Sequence, residues 1–190
     1  ARWTTLTRFN LRLSSEFMHV RRSATNIVDD FLGWQSKVGD KRYFAFVNLF
    51  DGHDPYIAPK PWDTKWVAKP KGKDRYESSI AYMDHELGRL FDELRRREQL
   101  DKTLIIVSSD HGELFGEHDL FLHGHFLYLN SIHVPLVMRL PGRIPAGTVV
   151  TVPVSLDRIA ATILDMIGDT TPAFPGTSLR ATWGGATKHE

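Results

Sequence analysis

Two nearly continuous apolar runs, each followed by aspartate, glycine and histidine, constrain the fold of this chain more than any other feature. The first run covers residues 43–50, and residues 51–54 follow it as Asp-Gly-His-Asp. The second covers residues 103–108, and after Ser109 residues 110–112 read Asp-His-Gly. An apolar run without polar alternation is typical of a strand that is covered on both faces. The pattern therefore predicts two buried strands of one sheet.

Amphipathic helical patterns alternate with these runs. Residues 24–34 carry apolar side chains at spacings of three and four, and Ser23 precedes them as a candidate N-cap. A second helix is predicted to begin at Asp74, where Asp74 and Glu77 form a capping-box pattern. A third helix is predicted over residues 156–167, with Ser155 as its N-cap and Gly168 directly after it.

Weaker patterns fill the rest of the chain. Further strands are predicted at residues 135–139 and 149–154, and the proline- and lysine-rich stretch 59–73 is typical of a solvated loop. Residues 1–20 and the tail after residue 170 show no clear period. Strands that alternate with helices indicate an α/β fold with a mostly parallel sheet flanked by helices.

Composition excludes several classes of function. The chain has 24 basic and 23 acidic residues, a formal net charge of +1, whereas a dedicated nucleic-acid-binding domain carries a strong basic excess. Cysteine is absent, which excludes disulfides, zinc–cysteine sites and thiol catalysis within these residues. No apolar run approaches the ~18 residues of a membrane span. We therefore predict no nucleic-acid partner and no membrane segment in this chain.

The two motifs that follow the apolar runs are the best candidates for chemistry. In open α/β sheets, ligands bind beyond the carboxyl ends of the strands, so these motifs are expected to meet at one edge. Asp110 and His111 combine a carboxylate with an imidazole, which suits a divalent metal. The same pair also fits a turn in which Asp110 is a cap and His111 a loop residue. His53 likewise fits a simple turn.

Five segments share a further property, since their order and spacing match one enzyme family. They are FAFVNLFDGHDPY (44–56), YESSIAYMDHELGRLFDEL (76–94), LDKTLIIVSSDHGELFGEHDLFLHG (100–124), LYLNSIHVPLVMRLPG (127–142) and PVSLDRIAATILDMIG (153–168). Together with FPGTSLR (174–180), they resemble the later part of the sulfatase catalytic domain, within the alkaline phosphatase superfamily. The resemblance covers about residues 22–180 and implies that residues 1–190 form one partial catalytic domain, incomplete at its N-terminal side.

The resemblance also implies roles for individual residues. Asp110 and His111 stand where the family places two metal ligands, so Ca²⁺ is the expected ion, with Mn²⁺ or Zn²⁺ as alternatives because many sulfatases have Asn where this chain has His111. His53 stands where the family has a histidine that contacts the transferring group or the leaving oxygen. His123 matches a polar residue that stabilises the leaving group. His125 occupies a variable position and receives no role.

The function implied by the resemblance is that of a metal-dependent sulfuric ester hydrolase acting on a small-molecule or glycan sulfate ester. Family members use formylglycine as the nucleophile, formed from Cys or Ser in a Cys/Ser-x-Pro-x-Arg motif. These 190 residues contain neither cysteine nor Ser-x-Pro-x-Arg. We therefore expect the chain to be the C-terminal portion of a catalytic domain and to be inactive alone.

Two alternatives remain at this stage. The first is a phosphonate or phosphate ester hydrolase, or a phosphoglycerol-type transferase, on the same scaffold, because a histidine at the position of His111 occurs in those branches. The second is a non-catalytic binding module that keeps the scaffold. An upstream sequence with Cys-x-Pro-x-Arg favours the sulfatase, whereas an upstream region without any nucleophile favours the binding module.

Overall fold

The computed structural model describes residues 21–64, 71–124, 126–169 and 174–183. The chain divides into two compact units: unit 1 comprises Ala1–Leu100 and His111–His133, and unit 2 comprises Asp101–Asp110 and Val134–Glu190. The irregular conformation predicted for residues 1–20 lies outside the described residues. Among the residues described, no helix combines the length and the apolar character that crossing a membrane requires.

The first helix of unit 1, α1, spans Ala24–Val38 and confirms the helix predicted over residues 24–34. Its predicted cap is also confirmed, because the Ser23 hydroxyl accepts a hydrogen bond from the backbone N–H of Asn26 at 3.3 Å. The helix runs four residues past its predicted end. It ends at Gly39, whose φ of 62° favours glycine.

The second helix, α2, spans Gly72–Arg96, so it begins before the predicted start at Asp74. The carboxylate of Asp74 accepts a hydrogen bond from the backbone N–H of Lys71 at 3.1 Å. Asp74 is therefore the third helical residue and not the N-cap, and the predicted box between Asp74 and Glu77 was wrong. The error is understandable physically, since an acidic side chain can satisfy the free backbone donors of a first turn from either position.

The packing of α2 against α1 buries polar side chains that an apolar pattern does not predict. The apolar Ile80 is 41% exposed, whereas Tyr82 and Glu86 are buried. The Thr25 hydroxyl of α1 lies 2.6 Å from the Tyr82 hydroxyl and donates to Glu86 at 3.0 Å. Arg89 donates to the other Glu86 oxygen at 2.8 Å. Tyr82 and Glu86 are tolerated in this packing because each has a hydrogen-bond partner.

Residues 43–50, predicted as a strand, have no regular secondary structure and pair with no other described strand. Its side chains alternate between half-buried and exposed, and Phe46 is 83% exposed. The prediction of a paired, doubly covered strand was therefore wrong. An apolar run indicates side chains that can be buried, whereas a strand also requires a hydrogen-bonded neighbour.

A short hairpin follows in unit 1. Strands β2 (Leu114–Phe115) and β3 (Phe121–Leu122) pair antiparallel, with Leu114 opposite Leu122 and Phe115 opposite Phe121. The loop between them contains a 3₁₀ turn at Glu117–Asp119 and begins at Gly116, whose φ is 118°. The backbone N–H of Gly116 closes the loop by donating to Leu120 at 2.8 Å. A four-residue helix, α3 (Leu129–Ile132), completes the unit.

Unit 2 contains the two predicted strands that do pair. Strand β1 (Ile105–Ser108) and strand β4 (Leu136–Arg139) confirm the strands predicted at residues 103–108 and 135–139, and they pair antiparallel. The described residues contain no parallel pair, which differs from the predicted orientation. The connection from β1 to β4 passes through unit 1, so these strands are not joined by the direct helical crossover that makes neighbouring strands parallel.

The last helix, α4, spans Arg158–Ile167. The predicted N-cap, Ser155, was wrong, since Asp157 is the N-cap and residues 156–157 form a turn before the helix. Gly168 ends the helix in the left-handed conformation, as predicted. Residues 149–154, also predicted as a strand, form none, and a 3₁₀ turn at Leu179–Thr182 lies in the tail that was predicted to be irregular.

Candidate functional site

Three of the four residues predicted as site residues lie side by side in unit 1. The ring centroids of His53 and His123 are 5.6 Å apart, and those of His123 and His111 are 3.9 Å apart. Phe50 stacks on the outer side of His53 at 4.5 Å. We refer to His53, His123 and His111 as the histidine row. The row joins two parts of the sequence that are more than fifty residues apart.

The fourth predicted residue, Asp110, precedes His111 in the chain but is the last residue of the first segment of unit 2. It follows β1, as the apolar run predicted. His125 lies outside the described residues.

Arg21 forms hydrogen bonds with the turn that carries His53. The Arg21 guanidinium donates to the carbonyl of His53 at 2.9 Å and to that of Asp54, and its Cζ lies 5.0 Å from the Phe50 ring centroid. His53 Nδ1 is 2.9 Å from the Asp54 carbonyl and 3.3 Å from Arg21. Because a carbonyl only accepts, the shorter contact places a hydrogen on Nδ1 and leaves Nε2 for other partners.

Asp51 and Gly52 are the first two residues of the same turn. Asp51 is buried, and burial raises the pKa of its carboxyl group, against the opposing effect of hydrogen bonds from the backbone N–H groups of Ala24 and Asp51 itself. A Cβ on Gly52 would lie 2.9 Å from the terminal methyl carbon of Met83 on α2. The lack of a side chain at Gly52 therefore lets this part of the turn lie directly against α2.

The second end of the row is built by the hairpin. Continuing the β2–β3 register by one residue places Glu113 opposite His123, and neighbouring side chains of such a pair are close enough to interact. Glu113 Oε1 lies 3.1 Å from His123 Nδ1, and the Glu113 side chain is only 4% exposed. A carboxylate and an imidazole thus form a close pair on the hairpin.

Tyr56 connects the two ends. Its hydroxyl donates to Glu113 Oε2 at 2.7 Å, and its backbone N–H donates to the His53 carbonyl at 2.9 Å. The Tyr56 ring is held by Tyr76 and Phe115, with centroids 5.6 and 5.9 Å away. Burial, and then the hydrogen bond to Glu113, raise the pKa of Tyr56, so its hydroxyl stays protonated and remains a donor.

His111 is fixed by the backbone beside it. Its Nδ1 lies 2.8 Å from the Gly112 carbonyl, and Gly112 N–H donates to Ser131 at 2.7 Å. A Cβ at Gly112 would fall 3.0 Å from the carbonyl carbon of Asn130 and closer still to its oxygen. Only glycine fits at this close approach between two backbone segments.

His111 has a hydrogen-bond pattern that is common in metal-binding histidines, with Nδ1 donating to a backbone carbonyl. Calcium, however, takes about six to eight oxygen ligands. The described residues contain no group of three or more histidine, aspartate or glutamate side chains that could hold an ion. The described part of the chain therefore does not form a complete metal site, and metal binding by Asp110 and His111 stays a prediction.

Sequence reasoning missed Glu113, Tyr56 and Arg21 as parts of this site. Glu113 follows the Asp-His-Gly motif directly, and Tyr56 follows the His53 turn. The signal that connects them is the hairpin register, which places Glu113 opposite His123. Arg21 precedes α1 and carries no sequence signal for its contact with the turn.

Comparison with known proteins places the chain in a family. A family model described as Sulfatase matches residues 2–169, most of the 190 residues. The chain belongs to the sulfatase family. The match confirms the resemblance that the five motifs indicated.

Curated sulfatases are similar to this chain over about half of its length. A choline-sulfatase of Rhizobium meliloti (strain 1021) is 37% identical over 98 residues, which is 52% of this chain and 19% of the relative. Arylsulfatase K of Homo sapiens is 44% identical over 93 residues, 49% of this chain and 17% of the relative. The chain thus spans less than a fifth of the length of these sulfatases.

A solved structure confirms the α/β fold class. The phosphonate monoester hydrolase SpPMH from Silicibacter pomeroyi matches with a TM-score of 0.70 and 25% identity, covering 87% of this chain and 43% of that enzyme. The helices and strands described above therefore belong to an α/β architecture that sulfatases and this phosphonate hydrolase share.

Proposed function

We propose that this chain provides the leaving-group side of a sulfuric ester hydrolase, and that the nucleophile comes from sequence beyond these 190 residues. The observation that carries the proposal is the histidine row, which brings together His53 and His123 in a chain of the sulfatase family. The names of the two relatives, choline-sulfatase and arylsulfatase K, favour a sulfate ester as the substrate.

Charge development explains why two histidines suit this role. When the bond between sulfur and the bridging oxygen breaks, negative charge grows on the oxygen that leaves. Positioned hydrogen-bond donors or acids stabilise that charge, and an acid contributes about 10²- to 10⁴-fold to the rate. We assign this work to His53 and His123, whose ring centroids are 5.6 Å apart.

Asp110 and His111 are proposed as the contribution of this chain to a metal site, for which Ca²⁺ is the first candidate and Mn²⁺ or Zn²⁺ are the alternatives. The hydrogen bond from His111 Nδ1 to Gly112 supports the assignment, because it orients the ring as in known metal ligands. Further ligands are required from outside the described residues.

A second candidate function is phosphonate or phosphate ester hydrolysis. Two observations favour it: the similarity to SpPMH over 87% of this chain, and the histidine at position 111, where many sulfatases have Asn. Phosphonate and sulfate esters present similar tetrahedral groups with a bridging oxygen, so the same histidine row serves either leaving group.

The experiment compares esters and variants in the whole protein. An aryl sulfate, choline sulfate, a sulfated glucosamine and an aryl phosphonate monoester are assayed with wild type, His53→Ala and His123→Ala. His85→Ala is the matched control, since His85 is an exposed histidine of α2 that contacts Trp62 and not the row. Each row variant is expected to lose about 10²- to 10⁴-fold in kcat for a sulfate ester with a poor leaving group.

The outcomes separate the hypotheses. Faster turnover of the phosphonate ester supports the second candidate. Binding of a sulfate ester without turnover supports a binding module. Full activity of both row variants on poor leaving groups contradicts the assignment of His53 and His123.

A further inference from the structure

The Glu113 carboxylate lies beside His123 of the histidine row, with its side chain only 4% exposed, and the proposed reaction assigns it no role. We propose that Glu113 is a positioning residue: it holds the His123 ring, through Nδ1, in the orientation that presents Nε2 to the leaving oxygen. This inference rests on the proposed leaving-group role of His123 and extends it.

The burial of Glu113 makes its hydrogen-bond partners, His123 among them, important for its stability. The Glu113 side chain is 4% exposed, and a buried carboxylate is costly unless each oxygen has a hydrogen-bond partner. Oε2 accepts from the Tyr56 hydroxyl at 2.7 Å, and Oε1 faces His123 Nδ1 at 3.1 Å. Because a carboxylate oxygen that faces a ring nitrogen acts as the acceptor, His123 carries its hydrogen on Nδ1. The ring is therefore held in one tautomer and one orientation.

The geometry also fixes Glu113 itself. The register of the hairpin places it opposite His123, and Tyr56 holds its second oxygen from the His53 turn. The Tyr56 ring is packed against Tyr76 and Phe115, and its backbone N–H is bonded to the His53 carbonyl. The Glu113 carboxylate is thus itself held in place, so that its Oε1 faces His123 Nδ1 in one position.

A purely structural role for Glu113 is the competing explanation. In that case the carboxylate anchors Tyr56, and its contact with His123 has no effect on the reaction. The two explanations differ in one respect: a positioning residue acts only through His123, whereas a structural residue affects the protein with or without that imidazole.

A double-mutant cycle in the whole protein tests this difference. Glu113→Ala and Glu113→Gln are made alone and together with His123→Ala, and kcat and KM are measured for a sulfate ester with a poor leaving group. Glu77→Gln, an exposed glutamate of α2, is the matched control. Loss of an orienting partner of this kind costs about 10- to 100-fold, and we expect the loss in kcat with little change in KM.

Two features of the cycle carry the proposal. Glu113→Gln should retain most of the rate, since the amide oxygen can still accept from Nδ1–H. This variant also preserves the side-chain shape, so it keeps the test valid if Glu113→Ala disturbs folding. In the His123→Ala background neither Glu113 variant should lower kcat further. Additive losses, or equal losses for Glu113→Gln and Glu113→Ala, would overturn the proposal.

A spectroscopic readout keeps this test separate from the proposed function. The ¹⁵N chemical shifts of the His123 ring, recorded under alkaline conditions where imidazoles are neutral, report which nitrogen bears the hydrogen. We expect the Nδ1–H form in the wild type and a mixture of tautomers in folded Glu113→Ala. The same ring signals in both proteins would show that Glu113 does not hold His123, whatever ester the enzyme cleaves.

Discussion

The His53 turn and the β2–β3 hairpin hold the same kind of side chain in two different ways. On the hairpin, His123 faces the buried carboxylate of Glu113. On the turn, His53 faces the backbone carbonyl of Asp54 and the guanidinium of Arg21. The ring centroids are only 5.6 Å apart, yet one ring has an anion as its neighbour and the other has a cation.

The difference indicates that the two histidines are not equivalent. A hydrogen bond to a charged group is worth about 1.5–3 kcal/mol, and one to a neutral group about 0.5–1.5 kcal/mol. The hairpin therefore restrains its imidazole through a side chain, whereas the turn relies on main-chain groups and one arginine. Variants that loosen each support separately should affect the two regions to different extents.

The largest effect is expected at Gly112, on the hairpin side of the row. Gly112→Ala forces a Cβ into the Asn130 carbonyl, and overpacking of this kind lowers the free energy of unfolding by about 1–3 kcal/mol or more. Gly88→Ala is the matched control, because nothing lies within 4 Å of a Cβ there and alanine favours a helix interior by about 1 kcal/mol. Urea unfolding measures both. A Gly112→Ala protein as stable as wild type would show that the two backbone segments are not in close contact.

A smaller effect is expected at Arg21, on the turn side. Arg21→Ala removes hydrogen bonds to the carbonyls of His53 and Asp54 and the contact with Phe50. We expect the free energy of unfolding to fall by about 1–2 kcal/mol. Arg22→Ala removes an exposed pair with Asp30 and should change stability by no more than about 0.5 kcal/mol. Equal effects of the two substitutions would contradict the role given to Arg21.

The smallest effect is expected at Asp51, the first residue of the turn that carries His53. Burial raises its folded-state pKa above the unfolded value, so its favourable contribution is complete below the unfolded pKa and is lost as the pH rises through the folded pKa. Asp51→Asn removes this dependence. The free energy of unfolding of the variant, relative to that of wild type, should therefore increase as the pH is raised from strongly acid to neutral. Urea unfolding at several pH values measures this difference. A constant difference across that range would show that Asp51 does not titrate as an unusually weak acid.

The sequence predicted much of the secondary structure because the signals are local. Ser23 and Gly168 delimit helices as their chemistry requires, and residues 103–108 form a strand. Residues 43–50 show the limit of such reasoning. Their apolar character predicted a strand, but strand pairing depends on a neighbour that no local pattern specifies.

The candidate site, like the secondary structure, could be predicted only in part from the sequence. The position of His53 and His111 after apolar runs, together with the family resemblance at His123, identified the three rings that the structure brings together. Glu113 was not predicted, because a glutamate in a polar motif is expected to be exposed. Its burial follows from the hairpin register and from the Tyr56 hydroxyl, and both are tertiary features.

The leaving-group dependence of kcat/KM tests the central claim most directly. A series of aryl sulfates with leaving groups of increasing pKa is measured with wild type, His53→Ala, His123→Ala and the His85→Ala control. If His53 and His123 stabilise the leaving oxygen, both row variants should show a steeper fall in rate with increasing leaving-group pKa, while His85→Ala follows wild type. Parallel lines for all four proteins would contradict the account, since the histidines would then act on something other than the leaving oxygen.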